Sequence, residues 1–201
     1  GAENYTGKIT NCYTTGVLKG SGAAGGIGGV LGGSGYIKNC YSSATVIDQI
    51  ANNAGKAGGI IGRVNGNTSG SSIENCYTSG DINAIGGGNA GGIVGKVDGG
   101  KLVIKNCIAW NSMLVSTDKA KVGRIVGGTA NATYENCYAY DGMILKAGEA
   151  TFTVSDETSP SGSSFQGVAK SANELKNTVI NWDSSLWKEG GNGYPVFKWS
   201  K

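Results

Sequence analysis

The sequence predicts an all-β fold, a right-handed parallel β-helix (β-solenoid) of about five coils that ends in a C-terminal cap containing a short helix. Three observations lead to this prediction. A short phrase built around Asn-Cys occurs five times along the 201 residues, and a glycine-rich phrase alternates with it. Helical periodicity is absent until the C-terminal region. Two phrases in strict alternation are typical of one structural unit copied along an axis.

The Asn-Cys phrase supplies the period, since its cysteines are separated by 28, 36, 31 and 30 residues. The mean, about 31 residues, suits one turn of a parallel β-helix with neighbouring turns about 4.8 Å apart. A propeller blade needs four antiparallel strands, for which the unit is short. A coil of about half the size, with the two phrases in successive turns, is the alternative. The five copies are Ile9-Thr10-Asn11-Cys12-Tyr13, Ile37-Lys38-Asn39-Cys40-Tyr41, Ile73-Glu74-Asn75-Cys76-Tyr77, Ile104-Lys105-Asn106-Cys107-Ile108 and Tyr134-Glu135-Asn136-Cys137-Tyr138.

The glycine phrase is interpreted as a tight corner where stacked backbones approach closely. A phosphate-binding loop would need a following helix with a Lys-Ser/Thr pair or a distal acid, and no copy has these. Each coil is therefore expected to hold three strands: one ending at Asn-Cys, one after the cysteine and one at the glycine phrase. The copies are Gly25-Gly26-Ile27-Gly28-Gly29, Gly58-Gly59-Ile60-Ile61-Gly62, Gly91-Gly92-Ile93-Val94-Gly95 and, with two substitutions, Val122-Gly123-Arg124-Ile125-Val126-Gly127.

Alternation with a period of two assigns the faces of the chain after each cysteine. The second residue is small and the sixth is large and apolar, so both rows are expected to point inward. These rows are Thr14, Ser42, Thr78, Ala109 and Ala139, and Leu18, Val46, Ile82, Met113 and Met143. The residue directly after the cysteine is expected to face outward, which gives the row Tyr13, Tyr41, Tyr77, Ile108 and Tyr138.

The Asn-Cys pairs are expected to form two structural ladders. Asparagine tolerates a left-handed backbone at a turn, and its amide can bond to the neighbouring coil. The asparagine ladder comprises Asn11, Asn39, Asn75, Asn106 and Asn136. Each cysteine is interpreted as a small buried apolar residue, and this ladder comprises Cys12, Cys40, Cys76, Cys107 and Cys137.

Composition argues against several functions. The chain has 37 glycines, two prolines and a net charge of +3, without a basic stripe, so nucleic-acid binding is not expected. No apolar stretch approaches the roughly 20 residues that span a bilayer, so no direct membrane insertion is expected. The sequence has no histidine and no Cys-x-x-Cys pair, and therefore no metal site and no cofactor are predicted.

The domain organisation is predicted as repeats over 1–150 and a connecting segment with a cap over 151–201. Ser171-Ala172-Asn173-Glu174 reads as a capping box that opens a short helix. Three of the four tryptophans fall in the last 20 residues. This composition favours a lid over the open end of the solenoid, because terminal repeats need an atypical cap.

The two phrases resemble the GLUG motif repeats of bacterial surface proteins, found in gut Bacteroides and their relatives. The resemblance covers about residues 5 to 145, and the tail around Trp182-Asp183 and Gly193-Tyr194-Pro195-Val196-Phe197-Lys198-Trp199 is similar to the segment that often closes such arrays. It implies display at the cell surface or secretion, with an outer-membrane anchor outside these residues, and a role in adhesion or scaffolding. Some large relatives are immunoglobulin-cleaving metalloproteases, but a chain without histidine has no His-Glu-x-x-His site.

The predicted function is a non-catalytic cell-surface repeat module, an adhesin or a structural spacer, and a monomer is expected. Aromatic rings suit sugars or partner proteins, so the candidate ligand-binding residues are Tyr13, Tyr41, Tyr77, Trp110, Tyr138 and Tyr140. The opposing interpretation is that the tyrosines stack only to cover the sheet or a loop. The ligand would be a host or cell-surface glycan or protein.

Two alternatives stay open at this point, a β-helix enzyme acting on polysaccharide and an accessory repeat domain of a larger surface protease. Such an enzyme needs converging carboxylates. The aspartates lie at different offsets from their cysteines and do not line up, which disfavours a catalytic site. They are Asp48, Asp81, Asp98, Asp118 and Asp141.

Overall fold

The computed structural model of the chain describes residues 3–4, 7–52, 54–65, 70–128, 132–155 and 166–200. Within them the chain winds into a β-solenoid of about five turns, which confirms the predicted fold class. Residues 156–165 of the predicted connecting segment lie outside the described residues.

Each full turn contributes short strands to five parallel sheets rather than to the three predicted. The first sheet contains Glu3–Asn4, Gly28–Gly32, Ile61–Asn65 and Val94–Gly99. The second contains Lys8–Thr10, Tyr36–Lys38, Ser71–Glu74, Leu102–Lys105 and Ala132–Glu135. The third contains Tyr13–Thr14, Tyr41–Ser42, Tyr77–Thr78, Ile108–Ala109, Tyr138–Tyr140 and Val168–Lys170.

The fourth and fifth sheets complete the turn. The fourth contains Val17–Gly20, Thr45–Asp48, Ile82–Ala84, Met113–Ser116, Ile144–Ala147 and the antiparallel Ala150–Phe152. The fifth contains Ala24–Gly25, Lys56–Gly58, Asn89–Gly91 and Val122–Gly123. A short 3-10 helix, Lys119–Lys121, precedes the last of these strands.

Strand register rules out the coil of half the size. In the second sheet, Ile9 pairs with Ile37, Ile37 with Ile73, Ile73 with Ile104 and Ile104 with Tyr134. Each Asn-Cys phrase therefore stacks on the next Asn-Cys phrase, one full period along the chain.

The inward row of the fourth sheet differs from the prediction in its last two coils. Register and burial place Leu114 and Leu145 in line with Leu18, Val46 and Ile82. The prediction of Met113 is wrong, because coil four has one extra residue between the cysteine and this row, and a shift of one residue exchanges the faces of a strand. Met143 lies two residues before the aligned Leu145, but it packs against the core as predicted for an inward residue.

The second glycine of each glycine phrase is required by stacking. A Cβ at Gly59 would overlap the carbonyl oxygen of Gly92 in the next coil, and a Cβ at Gly92 would overlap that of Arg124. Arg124 occupies the same position in the fourth copy. No fifth copy of the phrase lies beyond it, so a side chain is tolerated there.

Arg124 fastens the end of the solenoid. Its backbone N–H donates to Gln166 Oε1 at 3.0 Å, its Nε to the Gln166 carbonyl at 3.0 Å and its Nη2 to the Gly167 carbonyl at 2.8 Å. The chain then continues as Val168–Lys170, which extends the third sheet beside Tyr138–Tyr140. The last coil is thereby covered by the returning chain.

The C-terminal segment consists of the helix Ala172–Trp182 and a hairpin of Trp187–Glu189 and Pro195–Phe197. The predicted capping box is confirmed, with Ser171 as N-cap and Glu174 as its partner. The helix and hairpin do not form the predicted lid over the open end, because they pack along the outer face of the third sheet. Residues 166–170, which were predicted as part of the connecting segment, lie against the last coil instead. No helix within the described ranges is long and apolar enough to cross a bilayer.

Candidate functional site

The tyrosine row lies on the outer face of the third sheet, where strand register aligns it. Tyr13 pairs with Tyr41 and Tyr41 with Tyr77, followed by Ile108 and Tyr138. The rings of Tyr13 and Tyr41 stack with centroids 5.1 Å apart and planes 8° apart, and those of Tyr41 and Tyr77 at 5.1 Å and 3°. A parallel in-register sheet thus turns one repeated residue into a continuous aromatic stack.

The C-terminal hairpin covers most of this stack. Trp187 lies 5.9 Å from the Tyr41 ring and 5.8 Å from the Tyr77 ring, and Phe197 lies 5.1 Å from Tyr41. The Tyr77 hydroxyl donates to the carbonyl oxygen of Pro195. Burial raises the pKa of Tyr77 well above its ordinary value.

Solvent exposure of the tyrosine row therefore differs from the expectation. The side chains project away from the coil interior, but Tyr41 is only 5% exposed and Tyr77 only 1%. Tyr138 is half-buried, with the Lys170 ammonium 4.3 Å from its ring centroid. Only Tyr13, at 39%, stays open, beside the 56% exposed Trp199. The hairpin occupies the surface that the sequence left free for a ligand.

Two of the predicted residues, Trp110 and Tyr140, meet in a cleft of about 260 Å³ that is called here the aromatic cleft. They hold the same position in coils four and five, the third residue after the cysteine. The cleft is lined by Trp110, Ser112, Tyr140, Ala172, Asn192, Gly193 and Tyr194.

The hairpin turn forms the far wall of the aromatic cleft. The Tyr194 ring meets the Trp110 ring edge to face, with centroids 4.7 Å apart and planes at 62°. Burial, followed by the nearby Tyr140 hydroxyl, raises the pKa of Tyr194. Asn192 Oδ1 accepts from the backbone N–H of Tyr194 at 3.3 Å, which leaves its Nδ2 group for other partners. The cleft thus combines aromatic faces with hydroxyl and amide groups.

The asparagines form a side-chain ladder between the second and third sheets. Nδ2 of Asn39, Asn75, Asn106 and Asn136 donates to Oδ1 of the asparagine in the preceding coil at 3.3, 3.2, 3.0 and 3.1 Å respectively. All five residues have φ between 51° and 54°. Each bond uses one of the two N–H donors of the side-chain amide and links the turn to the equivalent turn of the preceding coil.

The cysteines form a second ladder inside the coil. Each Sγ from Cys40 onward has two acceptors for its single proton. The isoleucine carbonyl of the preceding coil lies at 3.8, 3.9, 3.4 and 3.4 Å for Cys40, Cys76, Cys107 and Cys137. The carbonyl two residues before each cysteine lies at 3.3, 3.2, 3.3 and 3.6 Å. All five thiols are free, and Cys12 in the first coil is exposed. Burial raises the pKa of Cys76 and of Cys137, which keeps these thiols protonated and unreactive.

Two of the predicted aspartates, Asp48 and Asp98, have structural partners in different sheets. Asp48 is buried and accepts from the backbone N–H groups of Gly22, Ile50 and Lys56 at 3.2, 3.0 and 3.1 Å. Asp98 pairs with Arg63 at 2.6 Å and with Lys96 at 2.7 Å. Among the described residues no group of three or more His, Cys, Asp or Glu side chains is placed to hold a metal ion.

Sequence reasoning missed the residues of the hairpin that complete these surfaces, Trp187, Asn192, Tyr194 and Phe197. One signal pointed to the aromatic cleft. The third residue after the cysteine is Thr15, Ser43 and Ser79 in the first three coils and changes to an aromatic residue in the last two.

Comparison with known proteins adds one close structural relative. A crystal structure of a candidate immunoglobulin A1 protease from Bacteroides ovatus superimposes with a TM-score of 0.86 at 50% sequence identity. The alignment covers 96% of this chain and 58% of the other. No protein-family model and no curated protein matches this chain. The resemblance to GLUG repeats therefore stays a prediction.

Proposed function

We propose that this chain is a non-catalytic repeat module of a larger surface protein, in which it acts as a stiff spacer and accessory domain. The observation that carries this proposal is the continuity of its ladders. Backbone pairs and asparagine amides connect each coil to the next, and tyrosine rings connect the first three coils. The C-terminal hairpin then ties the first three coils together along one side, through Tyr13, Tyr41 and Tyr77. In repeat proteins such nearest-neighbour contacts build an extended body with regular faces.

The contacts of the ionisable side chains support the proposal that the module is non-catalytic. General acid–base chemistry needs carboxylates that converge on one substrate position. Asp48 and Asp98 instead satisfy backbone donors and basic side chains in different sheets. The sequence also lacks histidine, the side chain used as base in zinc proteases of the His-Glu-x-x-His type and in Ser-His-Asp enzymes.

The relative from Bacteroides ovatus supports the accessory half of the proposal. Its chain is longer, and the present chain spans 58% of it. If that protein cleaves immunoglobulin, a histidine-free solenoid like this one would hold the catalytic part at a distance from the cell surface. Surface display or secretion is accordingly part of the proposal.

An activity assay with an internal contamination control tests this function. The purified chain is incubated with immunoglobulin A1 and with a panel of polysaccharides, and the products are analysed by mass spectrometry. A Gly59→Ala variant, in which the added Cβ prevents normal stacking of the coils, is purified in the same way and reports any activity that comes from contaminating enzymes. We expect no product above that control. Products formed by the folded chain and absent from the variant would overturn the proposal.

A second measurement tests the spacer role and the localisation. Small-angle scattering of the isolated chain should fit a single rigid monomeric body. Antibodies against the chain should label intact cells of the source organism and lose their signal after protease treatment. Labelling only after lysis would contradict surface display.

A further inference from the structure

We infer that the aromatic cleft binds one neutral pyranose unit of a glycan. The inference rests on the proposed function, since a non-catalytic module would hold the sugar without altering it. The site lies where coils four and five meet the hairpin turn at 192–194, away from the covered part of the tyrosine row.

The cleft is a local departure from the repeat. In the first three coils the third residue after the cysteine has a small hydroxyl side chain, Thr15, Ser43 or Ser79, so coils can stack without a large ring at this position. Trp110 and Tyr140 replace it only where the hairpin turn stands opposite. The large rings therefore shape a pocket at one place instead of continuing a ladder.

The lining matches the chemistry of a sugar. The Trp110 ring is only 4% exposed and packs edge to face against Tyr194, so the apolar surface open to the C–H face of a pyranose ring is that of the half-buried Tyr140 and Tyr194 rings. The hydroxyls of Ser112, Tyr140 and Tyr194 and the Nδ2 group of Asn192 make no hydrogen bond within the described part of the chain, and all belong to residues that line the cleft. They can therefore donate to or accept from sugar hydroxyls.

The lining favours a neutral sugar over other occupants. It includes no charged side chain, so a phosphate, a nucleotide or an acidic peptide would find no counter-charge. An apolar peptide side chain would cover the polar groups without pairing them, which is unfavourable.

The expected affinity is low. A cleft of about 260 Å³ is smaller than the usual drug-sized site. One sugar unit has roughly 12 non-hydrogen atoms, and a ligand of this size is expected to bind with a millimolar Kd. Useful adhesion would then need several copies on one surface, which multiply the effective concentration.

The test is an NMR titration of the 15N-labelled chain with the methyl glycosides of glucose, galactose, mannose and N-acetylglucosamine. We expect at least one glycoside to produce saturable shifts at the Trp110 indole N–H and the Asn192 side-chain amide. Tyr140→Ala should weaken this binding at least about ten-fold. Asn192→Ala, in an exposed turn that leaves the rings in place, should weaken it about three-fold or more. Trp199→Ala, an exposed aromatic outside the cleft, should leave it unchanged.

Three outcomes would overturn the inference. The first is the absence of saturable shifts in the folded chain up to about 100 mM glycoside. The second is shifts at Tyr13 and Trp199 in place of the cleft, and the third is cleft shifts produced by N-acetyl-tyrosinamide but by none of the sugars. Release of methanol from a glycoside, visible in the same spectra, would instead contradict the non-catalytic function.

Discussion

At the last coil of the solenoid the chain returns and covers the stack, whereas the first coil leaves the same kinds of groups exposed. Arg124 replaces the stacking glycine and binds Gln166 and Gly167. The strand Val168–Lys170 then pairs with the edge of the third sheet. The returning chain thus gives the last coil the backbone and side-chain partners that the next repeat gives to an inner coil.

The first coil has the same repeat residues, and among the residues that the structure describes they are less buried than their neighbours. Ile9 is only half-buried while Ile37, its stacked neighbour, is fully buried. Cys12 is exposed while Cys40 is buried, and Val17 is 62% exposed. Equivalent residues therefore differ in burial. Among the described residues, Ile9 pairs with one neighbouring coil, whereas Ile37 pairs with a coil on each side.

The contrast shows that stacking, rather than the phrase itself, stabilises a coil. Each inner coil has partners on two sides, as expected of a quasi-one-dimensional repeat protein. An end needs residues outside the repeat, and the returning chain provides them at one end. The largest test of this conclusion is to block stacking in the middle.

Gly59→Ala should have the largest effect. The added Cβ meets the Gly92 carbonyl oxygen of the next coil, so backbones must separate. We expect a loss of about 3 kcal/mol or more in the free energy of unfolding, or failure to fold, measured by urea denaturation. Gly191→Ala is the control, because its Cβ would meet no atom within 4 Å. Equal stability of the two variants would show that the coils tolerate a wider spacing.

Trp187→Ala should come next, since it removes the ring that holds the hairpin on the tyrosine row. Trp187 is almost fully buried against Tyr41, Tyr77 and Phe197. A loss of about 3–5 kcal/mol is expected from urea denaturation. Trp199→Ala, at an exposed position, should cost less than about 1 kcal/mol. A small effect of Trp187→Ala would mean that the hairpin covers the row without stabilising it.

Arg124→Ala should destabilise the covered end by about 1–3 kcal/mol, because the Gln166 and Gly167 carbonyls lose their donors. Amide hydrogen exchange should rise mainly in Val168–Lys170 and the adjoining coil. Arg63→Ala, which breaks a half-exposed pair with Asp98, is the matched arginine control and should cost less than about 1 kcal/mol. An equal rise in amide hydrogen exchange along the whole chain would contradict the view that Arg124 stabilises only the last coil.

Asn75→Ala and Asn11→Ala should differ least. They compare the loss of unfolding free energy at the same turn position in an inner coil and in the first coil. Both asparagines have positive φ, so the backbone cost is shared. Asn75 has two ladder bonds and Asn11 has one. Asn75→Ala should therefore cost about 1 kcal/mol more than Asn11→Ala in thermal or urea unfolding. Equal losses would mean that the ladder bonds add nothing beyond the turn conformation.

Much of the fold was predictable because the repeat encodes contacts between equivalent residues. The period of the Asn-Cys phrase predicted which residues stack, and the capping box predicted the helix start at Ala172. The number of strands in each coil was underestimated because a corner divides two of the predicted strands. The strand after the cysteine becomes Tyr77–Thr78 and Ile82–Ala84, and the strand at the glycine phrase becomes Lys56–Gly58 and Ile61–Asn65. Met113 was misassigned because an inserted corner residue shifts the face without altering the composition.

The candidate site was less predictable. Trp110 and Tyr140 stood out as aromatic residues, but their partners Asn192 and Tyr194 belong to a turn outside the repeat. Contacts between a repeat and a distant, non-repeated segment leave no period in the sequence.

The sequence by itself determined the coil, its period and its ladders, because neighbouring copies bring like residues together at a fixed spacing. Only the tertiary structure decided that the hairpin returns along the third sheet, covers Tyr41 and Tyr77 and leaves an aromatic cleft at Trp110. The physical reason is that this placement depends on burial of Trp187 and Phe197 across more than one coil, a long-range packing choice that no local pattern encodes.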